Sequence, residues 1–143
     1  MASLGQEEGV VLNFDGGEIA NTLQAHRILI YLQVQHSPAQ ALKGLESFCA
    51  QYFTERRHPS SPATLEAACV AAGLSPQEAR RVVADENEAL AETKAAIREQ
   101  AGDRVDSVSY VMFEGRKRDF TLVGAKDAGE YGKILEQVEK GYT

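Results

Sequence analysis

Cysteine is scarce in this chain: 143 residues contain two, Cys49 and Cys69, twenty positions apart. Thiol redox catalysis needs an accessible, low-pKa thiolate, normally with a resolving cysteine close by. Neither condition is met, so the chain is not read as a thiol-disulfide oxidoreductase. Both cysteines fall on apolar helical faces and are expected to be buried structural thiols.

Long apolar runs are also missing. The densest, Ile28-Leu29-Ile30-Tyr31-Leu32, is far too short to span a bilayer and fits a central helix buried on several sides. Residues 1–9 show neither a secretion signal nor a lipidation pattern, from which a cytoplasmic protein is expected. Positive charge is in deficit as well. The net charge of −6 and pI near 5.1 argue against a nucleic-acid partner, which needs clustered Lys and Arg to release phosphate counterions. Two small basic runs, Arg56-Arg57-His58 and Arg116-Lys117-Arg118, read as a solvated loop and a solvated hairpin tip. His26, His36 and His58 show no i,i+4 pairing and no neighbouring cysteines, so no metal site is expected. Without a Gly-rich phosphate loop or a G-x-S-x-G turn, no cofactor is expected either.

What remains is a chain with 43% hydrophobic residues, enough for the core of one compact domain. Residues 1–9 are expected to be a flexible terminus. Val10 to Phe14 reads as a short strand or extended segment, ended by the turn signal Asp15-Gly16-Gly17. A first helix is expected from about Glu18 to Gln35. Three more begin with Ser at N-cap and Pro at the first helical position: Ser37-Pro38, Ser61-Pro62 and Ser75-Pro76. Gln40 and Glu78 complete capping boxes with Ser37 and Ser75.

The second helix places Leu42, Leu45, Phe48, Cys49, Tyr52 and Phe53 on one stripe expected to face the core. The third carries Leu65, Ala68, Cys69 and Ala72 on one face and ends at Gly73. From Ser75, Ala79, Val82 and Val83 lead into a charged stretch around Leu90 and Ile97 that closes at Gly102, as one kinked helix or two. The period then changes from helical to alternating. Val108–Phe113 and Phe120–Val123 form an antiparallel hairpin, and a last helix from near Asp127 buries Tyr131, Ile134, Leu135 and Val138 before Gly141.

A helical block followed by a hairpin and one amphipathic helix resembles the second half of a thioredoxin-type domain with a helical insertion, as in the DsbA-like group. The stretches Asn21-Thr22-Leu23-Gln24-Ala25-His26-Arg27, Ala50-Gln51-Tyr52-Phe53-Thr54-Glu55, Ala72-Gly73-Leu74, Val108 to Gly115, and Gly124-Ala125 are similar in particular to its FrnE-type branch. That branch is named for a polyketide pathway and includes relatives of the 2-hydroxychromene-2-carboxylate isomerases. The resemblance implies an α+β fold, mostly helical: a partial thioredoxin-like (DsbA-like) architecture with a small sheet of two or three strands. A single domain is expected over residues 1–143, with the extended segment and helical block at 10–102 and a thioredoxin-type ββα end at 103–143.

Two departures from the family carry consequences. The opening strand and helix bearing Cys-x-x-Cys have no counterpart, so an N-terminally truncated domain is expected. The family's cis-proline is replaced by Ser109, and without proline the peptide is expected to be trans, because cis costs about 2.5–4 kcal/mol. The strand at residues 107–115 would be central in a complete sheet. Its edge is then covered either by Val10 to Phe14 or by a second copy, and a homo-oligomer, most simply a dimer, is the preferred reading.

The resemblance and the loss of thiol chemistry together point to a non-redox tailoring enzyme, an isomerase, cyclase or lyase. Its small-molecule substrate would be aromatic or polyketide-like, as in secondary metabolism. His26 is the candidate general acid or base, since histidine exchanges protons near neutral pH, and Ser109 and Tyr110 are further catalytic candidates. Asn21, Arg27, Tyr31, Tyr52 and Phe53 are candidates for substrate binding. The alternatives are a non-catalytic ligand-binding or scaffold protein and one half of a split thioredoxin-like protein.

Overall fold

The computed structural model describes residues 2–13, 21–103, 105 and 107–142. Phe14, the turn Asp15-Gly16-Gly17 and the expected helix start at Glu18 lie outside them. The described residues form seven helices and two strands. The chain divides into two compact units, Met1–Ala96 and Ile97–Thr143.

In the first unit, α1 (Ala2–Glu7) occupies the stretch expected to be a flexible terminus. Val10 to Asn13 does not form a strand. Asn13 N–H donates to the Phe53 carbonyl at 2.7 Å and the Thr54 hydroxyl donates to the Val11 carbonyl at 3.1 Å, so the segment is tied to the end of a helix and not to a sheet.

α2 (Leu23–Gln35) starts later than Glu18, because Asn21 and Thr22 are non-helical and the Thr22 carbonyl takes the first helical hydrogen bond, from His26 N–H. α3 (Pro38–Phe53), α4 (Pro62–Ala71) and α5 (Pro76–Ala84) each begin after the expected serine. Ser37, Ser61 and Ser75 accept from the backbone N–H of Gln40, Thr64 and Glu78 at 3.2, 3.3 and 3.2 Å, satisfying donors that the first turn leaves unpaired. α4 gives way to Gly73, whose φ of +103° is the left-handed cap a glycine takes without strain. Residues 85–89 separate α5 from α6 (Leu90–Gly102), so the charged stretch belongs to a second helix.

The core of this unit is a cluster that includes Ile28, Leu32, Leu65, Ala68, Cys69 and Val82. Each fully buried aliphatic side chain contributes about 1.5–3 kcal/mol. Here one expectation is corrected. α3 turns Ala41, Gly44, Phe48 and Gln51 inward, while Leu42 is 56% exposed, Leu45 43%, and Cys49, Tyr52 and Phe53 are also exposed. The cause is steric. A Cβ on Gly44 would meet Leu32 Cδ1 at 2.7 Å, so α2 packs where α3 is narrowest, and the bulkier stripe is turned outward. Gln51 then bridges inside, its amide donating to the Thr64 carbonyl at 3.1 Å.

In the second unit, β1 (Tyr110–Phe113) pairs antiparallel with β2 (Phe120–Val123), with Tyr110 opposite Val123 and Phe113 opposite Phe120. Gly124 N–H extends the ladder to the Ser109 carbonyl at 2.7 Å. Among the described residues the sheet has these two strands alone. Alternation sets the faces: Val111, Phe113, Phe120 and Leu122 are half-buried, whereas Met112, Thr121 and Val123 are exposed. α7 (Ala128–Tyr142) is capped by Asp127, whose carboxylate accepts from Glu130 N–H at 2.9 Å. Tyr131 meets Phe113 at 6.0 Å between ring centroids. Tyr131, Ile134 and Val138 are half-buried, but Leu135 is 54% exposed and the helix continues past Gly141.

Candidate functional site

The first turns of α2 and the outward stripe of α3 enclose an apolar groove of about 290 Å³. Ala25 and Leu29 form one wall, and Leu45, Phe48, Tyr52 and Phe53 the other. Tyr52 and Phe53 stand edge to face with centroids 4.9 Å apart, which stiffens that wall. Thr22, His26 and Cys49 supply the polar and polarisable groups. The groove is a by-product of helix rotation: turning α3 on Gly44 leaves its large apolar side chains beside α2 instead of beneath it.

His26 is exposed, and its Nδ1 lies 2.8 Å from the Thr22 carbonyl. A carbonyl only accepts, so Nδ1 carries the proton. Nε2 of the neutral ring is then the proton acceptor, and the ring is fixed at the helix start. Asn21 is used locally, its side-chain oxygen accepting from Leu23 N–H at 2.8 Å.

Arg27 and Tyr31 do not line this groove. Arg27 is fully buried and donates to the carbonyls of Val82, Glu88 and Val83 at 3.0, 3.2 and 3.4 Å, and to Gln24 Oε1 at 2.6 Å. It thus serves the last carbonyls of α5, where positive charge is favoured. Burial lowers its pKa, and Asp85, with smaller contributions from Cys69, Glu86 and Glu88, offsets part of that. Tyr31 is buried too, donating to Glu78 Oε1 at 3.0 Å and accepting from Arg81 at 3.1 Å. Burial and then Glu78 raise its pKa.

The cysteines divide. Cys69 is buried in the core, and burial pushes its thiol up to about 11. Cys49, expected to be buried, is exposed at the groove because it shares the outward stripe of α3. In the second unit Ser109 is exposed with its carbonyl committed to Gly124, and Tyr110 is half-buried opposite Val123. The Val108–Ser109 peptide is cis, where trans was expected.

Of the eight candidate residues the groove gathers three, His26, Tyr52 and Phe53. Thr22, Leu45 and Cys49 were not singled out as site residues. The signal for them was the second, small-residue face of α3, Ala41 and Gly44, which competes with the large one for the core. Among the described residues no cluster of three or more His, Cys, Asp or Glu side chains is placed to hold a metal. No described helix is long and apolar enough to cross a membrane.

Residues 1–105 match the family model of the DSBA-like thioredoxin domain. Among solved structures the chain is similar to a candidate protein disulfide isomerase from Nitrosomonas europaea, with 15% identity and a TM-score of 0.75 over 99% of this chain and 71% of that one. At that identity the likeness establishes the shared fold, and chemistry must be argued from the site. No curated protein matches.

Proposed function

Because the chain belongs to the DSBA-like thioredoxin domain family yet contains no Cys-x-x-Cys within its 143 residues, we propose that it is a non-redox tailoring enzyme of the isomerase, cyclase or lyase type. Its substrate is a small aromatic or polyketide-like molecule held in the groove between α2 and α3. The observation that carries the reading is His26: Nδ1–H bonded to the Thr22 carbonyl leaves a basic Nε2 on a histidine that lines an apolar groove. Nε2 takes a proton from an acidic C–H or O–H of the substrate and returns it to another atom, so no electrons leave the pair and no cofactor is required. The volume is at the small end for ligand sites, about 300–1,000 Å³, and suits one or two fused rings. Tyr52 and Phe53 stack or edge against such rings. In this reading the chain works as a homodimer.

The test is deuterium incorporation into a panel of hydroxyaryl ketones in D₂O, followed by NMR. His26→Ala should cut exchange about 10² to 10⁴-fold with the fold retained, and Tyr52→Ala should raise KM more than it lowers kcat. A ligand-binding or scaffold protein is the second reading. It is favoured by the exposure of the groove's apolar wall, where Leu45, Tyr52 and Phe53 meet solvent. Unchanged exchange in His26→Ala, with aromatic binding intact, selects it.

A further inference from the structure

The basic run Arg116-Lys117-Arg118 lies within the second unit and has no part in the groove. The turn that carries it is tightly made. A Cβ on Gly115 would collide with the Arg118 carbonyl, so this position accepts glycine alone, and Gly115 N–H donates to the Asp119 carboxylate at 3.1 Å. The turn, the start of β2 and the last turns of α7 together surround a cleft of about 340 Å³. Among the described residues that line it are four cations, Arg116, Lys117, Arg118 and Lys140, and no carboxylate. In a chain of net charge −6 this is a marked local reversal.

Its floor is apolar, made by Phe120 and Val138. Arg118 is held over that floor, its guanidinium carbon 4.6 Å from the Phe120 ring centroid and one N–H donating to Gln137 Oε1 at 3.4 Å. Both contacts are with uncharged groups, so they orient the guanidinium without neutralising it. The ion pairs among the described residues, His36–Glu78, Arg57–Glu55 and Arg81–Glu88, do not involve Arg116, Lys117 or Arg118. A concave site with one sign of charge and an apolar base concentrates ligands of opposite charge.

We propose that this cleft binds a small organic oxyanion, a phosphate or carboxylate borne on an apolar or aromatic body. The oxyanion takes the forked N–H groups of Arg118 with Arg116 or Lys117 beside it, and the apolar body rests on Phe120 and Val138. The proposal does not depend on the reading of the α2–α3 groove.

Titration of the full ¹⁵N-labelled chain with phenyl phosphate, monitored by amide chemical shifts, tests it. The expected result is saturable shifts at Gly115, Phe120 and Gly141, an affinity that falls with added NaCl, and weaker saturation by inorganic phosphate, which lacks the apolar body. Arg118→Ala should weaken binding about tenfold. Lys117→Ala, at the tip of the turn, provides a second variant whose fold is not at risk, and should weaken binding about threefold. Phenol producing the same shifts as phenyl phosphate would overturn the proposal, as would equal affinity in both variants. Binding to phosphatidylglycerol vesicles without any response to phenyl phosphate would also overturn it, since the site would then be a membrane-facing patch.

Discussion

The helical unit and the ββα unit solve the problem of burial differently. The first encloses a core in which Ile28, Leu32, Ala68, Cys69 and Val82 are completely removed from solvent, together with Arg27. In the second, no described residue is buried, and its best-covered side chains are half-buried on the face of the hairpin beside α7. A two-stranded sheet with one helix encloses little by itself. The contrast teaches where the fold's specificity resides: the helical unit is locked from inside by polar groups with defined partners, while the ββα unit, among the described residues, presents half-covered side chains, a two-stranded sheet and a charged cleft. Predictions that attack the inner locks should therefore have the largest effects.

Arg27 is the strongest lock. Arg27→Ala leaves the carbonyls of Val82, Val83 and Glu88 without their buried donor, and each orphaned buried acceptor costs about 1–3 kcal/mol. A loss of about 3 kcal/mol or more is expected in urea denaturation, and Arg27→Lys should recover little of it because an ammonium cannot serve three carbonyls with a planar fork. A loss below about 1 kcal/mol would mean that the helical unit is not held from inside.

The next effect follows from Cys69. In the folded chain its thiol keeps the proton up to about pH 11, against an ordinary value of 9.0. Between those values the unfolded chain has released the proton and the folded chain has not, so the unfolded state binds fewer protons and stability falls as pH rises. About 2 kcal/mol should be lost across that window. Tyr31, also raised, acts in the same sense. Cys69→Ala should flatten the alkaline slope even while the small cavity lowers stability at neutral pH. A slope identical to wild type would place Cys69 nearer to solvent. Cys49, exposed, should by contrast react with iodoacetamide in the native chain long before Cys69 does.

Much of this architecture was legible in the sequence, and the parts that were not have a common cause. The three Ser-Pro starts could be read because capping is local chemistry: one hydroxyl and one N–H three residues on. The hairpin was legible because alternation and the Gly115 turn are local too. The rotation of α3 was not, since periodicity marks two apolar faces, Ala41–Gly44–Phe48 and Leu42–Leu45–Cys49, and the choice between them depends on how closely α2 can approach. The roles of Arg27 and Tyr31 were hidden for a similar reason. Their partners lie more than forty residues away, on α5 and the segment after it.

The edge of β1 that has no partner strand among the described residues sharpens the comparison further. A homodimer that covers it would make stability depend on concentration, and each tenfold dilution should lower the apparent value by about 1.4 kcal/mol if folding and association are coupled. Sedimentation at micromolar concentration should show the dimer. A folded monomer with stability unchanged on dilution would show that the ββα unit holds without a second copy.

The smallest effect is the most discriminating for the α3 rotation. Leu42, 56% exposed, and Leu32, completely buried, are both leucines on packed helices of the same unit. Leu32→Ala removes core volume and should cost about 2–5 kcal/mol. Leu42→Ala should change stability by no more than about 0.5 kcal/mol at low protein concentration, because its side chain already meets water. A cost near that of Leu32→Ala, independent of concentration, would return the large stripe of α3 to the core and dissolve the groove that depends on its facing outward. A cost that appears only as protein concentration rises has a different physical meaning: the stripe is then covered by a second copy, and the aromatic wall of Tyr52 and Phe53 would be closed by self-association.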